Sequence, residues 1–217
     1  MKEKVLLLLA LIGVYFTVNE FYRLRREKPA ESILYVPTGK SVKFMALNFR
    51  EIAADYLMAR ALTYFGSHYY ERNFPYKWLY NLFDTITTVD PLNREAFLMG
   101  ARLLTVKDIH LSLKLLKKGM KYHPDDWKFP EMVGFIYFFH LKDPAKAAVW
   151  YEKASKLPGH PPYVPSLASK FYTEVGKYRE AIRVLYNFYV TTRDKRLKAI
   201  FKRDIERLQK KLQQIQR

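Results

Sequence analysis

Hydrophobic and polar positions divide the chain into three patterns. Residues 1 to 28 read MKEKVLLLLALIGVYFTVNEFYRLRREK, with an unbroken apolar run from Val5 to Val18. From about residue 57 to 192, apolar positions recur three and four residues apart in stretches of helical length, separated by short turns that carry glycine or proline. That spacing places them on one face of a helix and predicts helices throughout. The last 25 residues, RDKRLKAIFKRDIERLQKKLQQIQR, carry Leu197, Phe201, Ile205, Leu208, Leu212 and Ile215 at intervals of four and three, a single apolar stripe on one long helix.

A longer period organises the middle pattern. Gly100, Gly134 and Ala168 stand 34 residues apart, as do Pro124 and Pro158, and as do Ala147 and Ala181. Three independent series with one period mark an internal repeat. The small residues let a paired helix approach closely. Gly176 is placed to end the first helix of its pair, in a left-handed conformation that costs glycine little. Tyr178, Ala181 and Leu185, like Pro144, Ala147 and Tyr151, form the buried stripe of the second helix. Pro91, Pro124 and Pro158 are expected to stop one unit and to fit the first helical turn of the next. The turns at Leu141–Lys142 and Glu174–Val175 carry one extra residue.

In "GKYREAIRVL" (176–185) and "KDPAKAAVWYEKASKLP" (142–158) the sequence resembles the tetratricopeptide repeat (TPR) family, whose unit is a 34-residue helix–turn–helix. Together with its amino-terminal segment it is similar to the membrane-anchored bacterial type. The resemblance covers about four units, fullest in the last two and loosest in the first, from Leu57 to Pro91, which has no small residue in its second helix. It implies an all-α, TPR-like helical solenoid of about four helix pairs over residues 48–192, with residues 193–217 as a basic capping helix. An array needs such a polar-faced helix at its open end; the same stripe also suits a short coiled coil with a second copy. Asn48, with Glu51 reaching back, is the expected cap of the first repeat helix.

The amino-terminal run of fourteen residues is shorter than the roughly 20 that span a bilayer, but Val5–Tyr22 approaches that length with Asn19 and Glu20 at the interface. Phe21, Tyr22, Arg23, Arg25, Arg26 and Lys28 suit the headgroup zone. Residues 1–22 therefore read as an uncleaved membrane anchor, followed by a basic, irregular stalk over 23–47. A cleaved export signal would need small residues after the run, and "FTVNEFY" has none; a buried helix would be unusual with these basic flanks. The four bases after the run put the rest of the chain in the cytoplasm, the lysine-first layout puts it on the far side, and both remain open.

Composition narrows the chemistry. The 38 basic residues against 21 acidic give a net charge of +17, suited to acidic protein, acidic lipid or nucleic acid. Without cysteine there are no disulfides, thiolate metal sites or cysteine nucleophile. His68, His110, His123, His140 and His160 are scattered, with no metal-binding spacing. "YVPTGKSVKF" (35–44) ends like a phosphate-binding loop, but the first glycine of that motif is replaced by Leu34, so the stretch reads as a turn between extended "SILYV" and the first long helix. Asp125 and Asp126 read as carboxylates at a helix start. No cofactor, metal site or catalytic residue is expected, and the chain does not read as an enzyme.

What stands out is "EMVGFIYFFHL" (131–141), apolar nearly all round and thus in need of cover on both faces. Phe135, Phe138 and Phe139 are expected to share a face, with Phe97, Ala101, Leu104 and Tyr172 as neighbours in a concave groove that binds a partner protein segment. The alternative is internal packing between repeats, with residues 30–47 folded across them. A second functional reading is an anionic surface for lipid or RNA made by Arg193, Lys195, Arg196, Lys198, Lys202, Arg203, Lys210 and Lys211. By the family resemblance, the chain is expected to act as a membrane-tethered scaffold, with protein partners of a membrane-associated assembly, lipid at its anchor, and nucleic acid as second choice.

Overall fold

The computed structural model describes Tyr15 and residues 37–70 and 76–216. The chain divides into two compact units, Met1–Tyr35 and Val36–Arg217, and the helices from Gly39 to Ile215 all lie in the second. The expected anchor, Tyr15 apart, and the stalk up to residue 36 lie outside the described residues. Among the described residues no helix is long and apolar enough to cross a membrane.

The described residues of this second unit form ten helices and no strand. A short helix, α1 (Gly39–Ala46), precedes four hairpins: α2 (Arg50–His68) with α3 (Tyr76–Val89), α4 (Arg94–Thr105) with α5 (Ile109–Tyr122), α6 (Lys128–Phe139) with α7 (Pro144–Ser155), and α8 (Tyr163–Glu174) with α9 (Tyr178–Thr191). The long α10 (Lys195–Ile215) closes the chain. Each helix packs on its neighbours in sequence, and α3 also meets α1 and α5. This is an all-α array of helical hairpins packed in chain order.

Side chains at the turns set the helix starts. Asn93, Asp108, Asp143 and Asp194 precede α4, α5, α7 and α10, and each carboxyl or amide oxygen accepts from a backbone N–H of the first turn. Pro144 opens α7, where its missing N–H would have no intrahelical partner. Gly176 has φ +76° just beyond α8. One repeat earlier, Lys142 takes the same left-handed place with φ +53°.

Three local expectations are corrected. "TGKS" is a helix start rather than a turn: Thr38 Oγ1 accepts from Ser41 N at 3.3 Å and α1 follows, so Gly39–Ala46 is helical where an irregular stalk was expected. Its cover comes from α3, since Thr85 donates to Pro37 O at 3.2 Å and a Cβ on Gly39 would come within 2.5 Å of Thr88 Cβ. Helix α2 begins at Arg50 after Phe49, with no side-chain cap, so Asn48 does not serve. Pro91, Pro124 and Pro158 end the preceding helices but lie in turns three to five residues before the next; Pro130 and Pro165 occupy first turns instead.

The 34-residue period is a packing period. A Cβ on Gly100 would meet the Phe83 ring at 2.5 Å and Leu115 at 2.7 Å, and one on Gly134 would meet the Tyr151 ring at 2.6 Å. Ala168 is fully buried. In the carboxy-terminal half, Ala147, Tyr151, Phe171, Ala181 and Leu185 share one core with Phe201, Ile205 and Leu208 of α10. The Phe188 and Phe201 rings lie 4.8 Å apart. The α10 stripe is thus largely taken up within the chain, leaving Leu212 half-buried and Ile215 exposed.

Candidate partner-binding face

The first helices of successive hairpins, α4, α6 and α8, carry the residues expected to bind a partner, and burial separates them into two groups. Phe97 is fully buried, its ring 6.1 Å from those of Tyr122 and Phe129 and 5.7 Å from His123. Ala101 and Leu104 are also fully buried. The Ala101 carbonyl accepts from Thr105 Oγ1 at 2.7 Å and Ser112 Oγ at 2.8 Å, which fastens α4 to α5. Phe138 is half-buried with its ring 4.4 Å from Phe171, and Tyr172 donates to Glu152 Oε2 at 2.6 Å. These five side chains pack between helices rather than lining an open groove.

Phe135 and Phe139 are different: 43% and 54% exposed, their rings nearly parallel at 7° with centroids 5.4 Å apart. Phe138 leaves their company because consecutive residues point about 100° apart around a helix, whereas residues four apart lie on one line. His140 meets both rings edge-on, and Lys142 Nζ lies 5.1 Å from the centre of the Phe139 ring. One repeat away on either side, the matching positions hold Ala101 and Thr105 before, Ser169 and Thr173 after. Ala101, Thr105 and Ser169 are buried there, whereas the two rings are exposed.

The same line along α6 runs back four residues to Glu131. Burial pushes its carboxyl above the usual glutamate range, against the hydrogen bond from Tyr151 and the charges of Arg102 and Lys128. Burial likewise raises the hydroxyls of Tyr151 and Tyr163, with Glu131 adding to both. A half-buried acid therefore stands between Arg102 of α4 and Tyr163 of α8, one turn before the stacked rings. Glu131 was missed as a site residue, although its place four residues before Phe135 is visible in the sequence.

Glu152, on α7, is a structural counterpart. Burial would raise its carboxyl, but the Tyr172 hydroxyl and the cations of Lys156 (2.9 Å) and Arg183 (3.0 Å) outweigh that and hold it below the usual range. It ties α7 to α8 and α9. Lys118 of α5 does the same for α3, its Nζ lying 2.8 Å from Asp84 Oδ1 and 2.7 Å from Thr88 Oγ1. Asp84, Lys118 and Glu152 are themselves 34 residues apart. At the turn before α6, Asp126 pairs with Arg94 and accepts from Lys128 N at 3.0 Å, as a carboxylate at a helix start should.

On α10, Arg193 just before it included, seven of the eight expected anionic-surface residues are exposed: Arg193, Lys195, Arg196, Lys202, Arg203, Lys210 and Lys211. Lys198 is half-buried, its Nζ 5.8 Å from the Tyr189 ring centre. Among the described residues none of the eight is ion-paired. No group of histidine and acidic side chains among the described residues could hold a metal ion.

No family model matches the chain, and no curated protein matches its sequence. Among solved structures, the crystal structure of MamA protein is similar at 15% sequence identity and a TM-score of 0.39, over 58% of this chain and 69% of that one. The functional reading rests on this chain's own residues.

Proposed function

We propose that this protein is a membrane-tethered scaffold that holds a segment of a partner protein across its first helices, with Glu131, Phe135 and Phe139 as the contact line. The observation that carries the reading is the stacked, exposed aromatic pair. Rings held parallel by a rigid helix, with small residues at the matching positions on either side, offer apolar area at little entropic cost. The half-buried acid at one end of the line suits a basic or hydrogen-bond-donating group on the partner, and so gives the bound segment a direction. The apolar amino-terminal run supports the tether.

The test is affinity co-purification of the full chain from native membranes after nuclease treatment and a salt wash. A defined set of proteins retained by the wild type and lost with Phe135→Ala/Phe139→Ala supports the scaffold. The eight bases at α10, none of them ion-paired among the described residues, support a second reading, an anionic-surface binder of acidic lipid or RNA. Binding that disappears with salt or nuclease, and that the double variant leaves unchanged, would select it.

A further inference from the structure

Between α8 and α10 lies a cleft of about 150 Å³, walled by Ser166, Ser169, Lys170 and Thr173 of α8 and by Asp204, Arg207 and Lys211 of α10, with buried Leu185 and Leu208 completing it. Pockets for drug-sized molecules measure roughly 300–1,000 Å³, so this space suits one compact group. Lys170 and Lys211 have no ion pair among the described residues, and Arg207 reaches Asp204 only at 3.8 Å. Three cations thus face one carboxylate; the exposed acids nearest in sequence, Glu174 and Glu206, do not line the cleft. Of the three hydroxyls, Ser166 donates to Pro162 O at 3.1 Å and Thr173 to Ser169 O at 2.8 Å. Ser169 is 4% exposed, and its hydroxyl makes no hydrogen bond among the described residues. A nearly buried donor of that kind calls for an acceptor.

We propose that this cleft binds a phosphomonoester, carried by a phosphorylated side chain of the partner segment. Such a group bears a charge of about −1.5 to −2 near neutral pH and three strong acceptor oxygens. That matches three cations set against one acid, with the Ser169 hydroxyl as a further donor, whereas a single carboxylate would leave a cation unanswered. Arginine adds a planar fork that fits phosphate oxygens two at a time. The place in the fold agrees. Moved on by one repeat of 34 residues, α8 falls on 197–208, inside α10, so the first part of α10 continues the row of first helices. Phe139, Thr173 and Arg207 then hold one position in three successive members of that row. The inference rests on the scaffold reading proposed above and deepens it: a segment crossing the row would meet the stacked rings on α6 and, beyond them, the cationic cleft.

The test titrates the full chain in detergent with N-acetyl-O-phosphoserine amide, followed by 31P NMR at physiological salt, beside N-acetyl-aspartate amide and dihexanoyl phosphatidic acid. The expected result is saturable binding of the phosphoserine probe, weakened about tenfold or more in Lys170→Gln/Arg207→Gln/Lys211→Gln and several-fold in Ser169→Ala. Arg193→Gln/Lys195→Gln/Lys202→Gln removes as many charges from exposed positions outside the cleft and should leave binding unchanged. Equal loss in both triple variants would reduce the effect to overall charge and overturn the site, as would the absence of saturable binding. An aspartate probe bound as tightly would make it a carboxylate site, and a phosphatidic acid bound more tightly would give it to a lipid headgroup; either overturns the proposal. The source is read in the co-purification: phosphatase treatment should release the retained proteins from the wild type. Retention that phosphatase leaves unchanged would show that the group is not on the partner. Probe binding at the cleft, with a retained set indifferent to Phe135→Ala/Phe139→Ala, would sink the scaffold reading and leave the phosphomonoester site standing.

Discussion

Glu152 shows how one side chain can balance burial against bonding. Truncating it to alanine leaves the buried Tyr172 hydroxyl without an acceptor and should cost about 1–3 kcal/mol, read from urea unfolding. Buried Glu152 and half-buried Glu131 should respond to pH with opposite signs. The Glu152 carboxyl is held low in the folded state, so its contribution is present above the ordinary value of about 4.3 and is lost as pH falls through the folded value. Glu131 is held high, so its contribution is present at low pH and is lost as pH rises through the folded value. Stability of the wild type relative to Glu152→Gln should therefore rise with pH across the acid range, and relative to Glu131→Gln should fall; parallel slopes would refute both assignments. The left-handed turns offer a further pair: Gly176→Ala should destabilise by about 1 kcal/mol, whereas Lys142→Gly should stabilise by about 0.5–1 kcal/mol. Gly176 was legible in the sequence because glycine advertises that conformation. Lys142 was visible only as an extra residue, since lysine carries no such signature. The division of Phe135 and Phe139 from Phe138 was hidden for a different reason. All-round apolarity does not say which face meets a neighbour, and Phe171 lies 33 residues further on.

Elements were legible where they repeat. A 34-residue spacing of small residues, with apolar stripes between, places α4 to α9 because each hairpin buries its seam against the next in the same way. The amino-terminal elements were harder to read. Helix α1 is eight residues long with a Gly-Lys-Ser start, and its contacts come from Thr85 and Thr88, more than forty residues away. Isolated helices of that length are marginal in water, so no local pattern could announce it. Helix α10 is the opposite case, its stripe legible and its partner, α9, adjacent in sequence. Phe201 is 2% exposed at the centre of that contact, and Phe201→Ala should cost about 3–5 kcal/mol with a lowered urea midpoint. A cost under about 1 kcal/mol would show α10 to be loosely attached rather than the cap of the stack.

At the scale of the whole molecule, the described residues present an exposed apolar face of mixed charge at α1–α2, an aromatic line on α6, and a basic helix at α10. The net charge of +17 acts over all of them, so any binding measured at low salt will carry a non-specific part. The scaffold reading requires a contribution that outlasts that screening and belongs to one face. Site-specific photocrosslinking in native membranes at physiological salt tests this directly, with p-benzoylphenylalanine placed in turn at 135, at 139 and at Tyr186. Tyr186 lies on the second helix α9 and is as exposed as Phe139, at 54% each, which makes it a matched control. The account predicts that 135 and 139 crosslink to one segment of one protein and that 186 does not. Equal capture from all three positions, or capture from 186 alone, would contradict it.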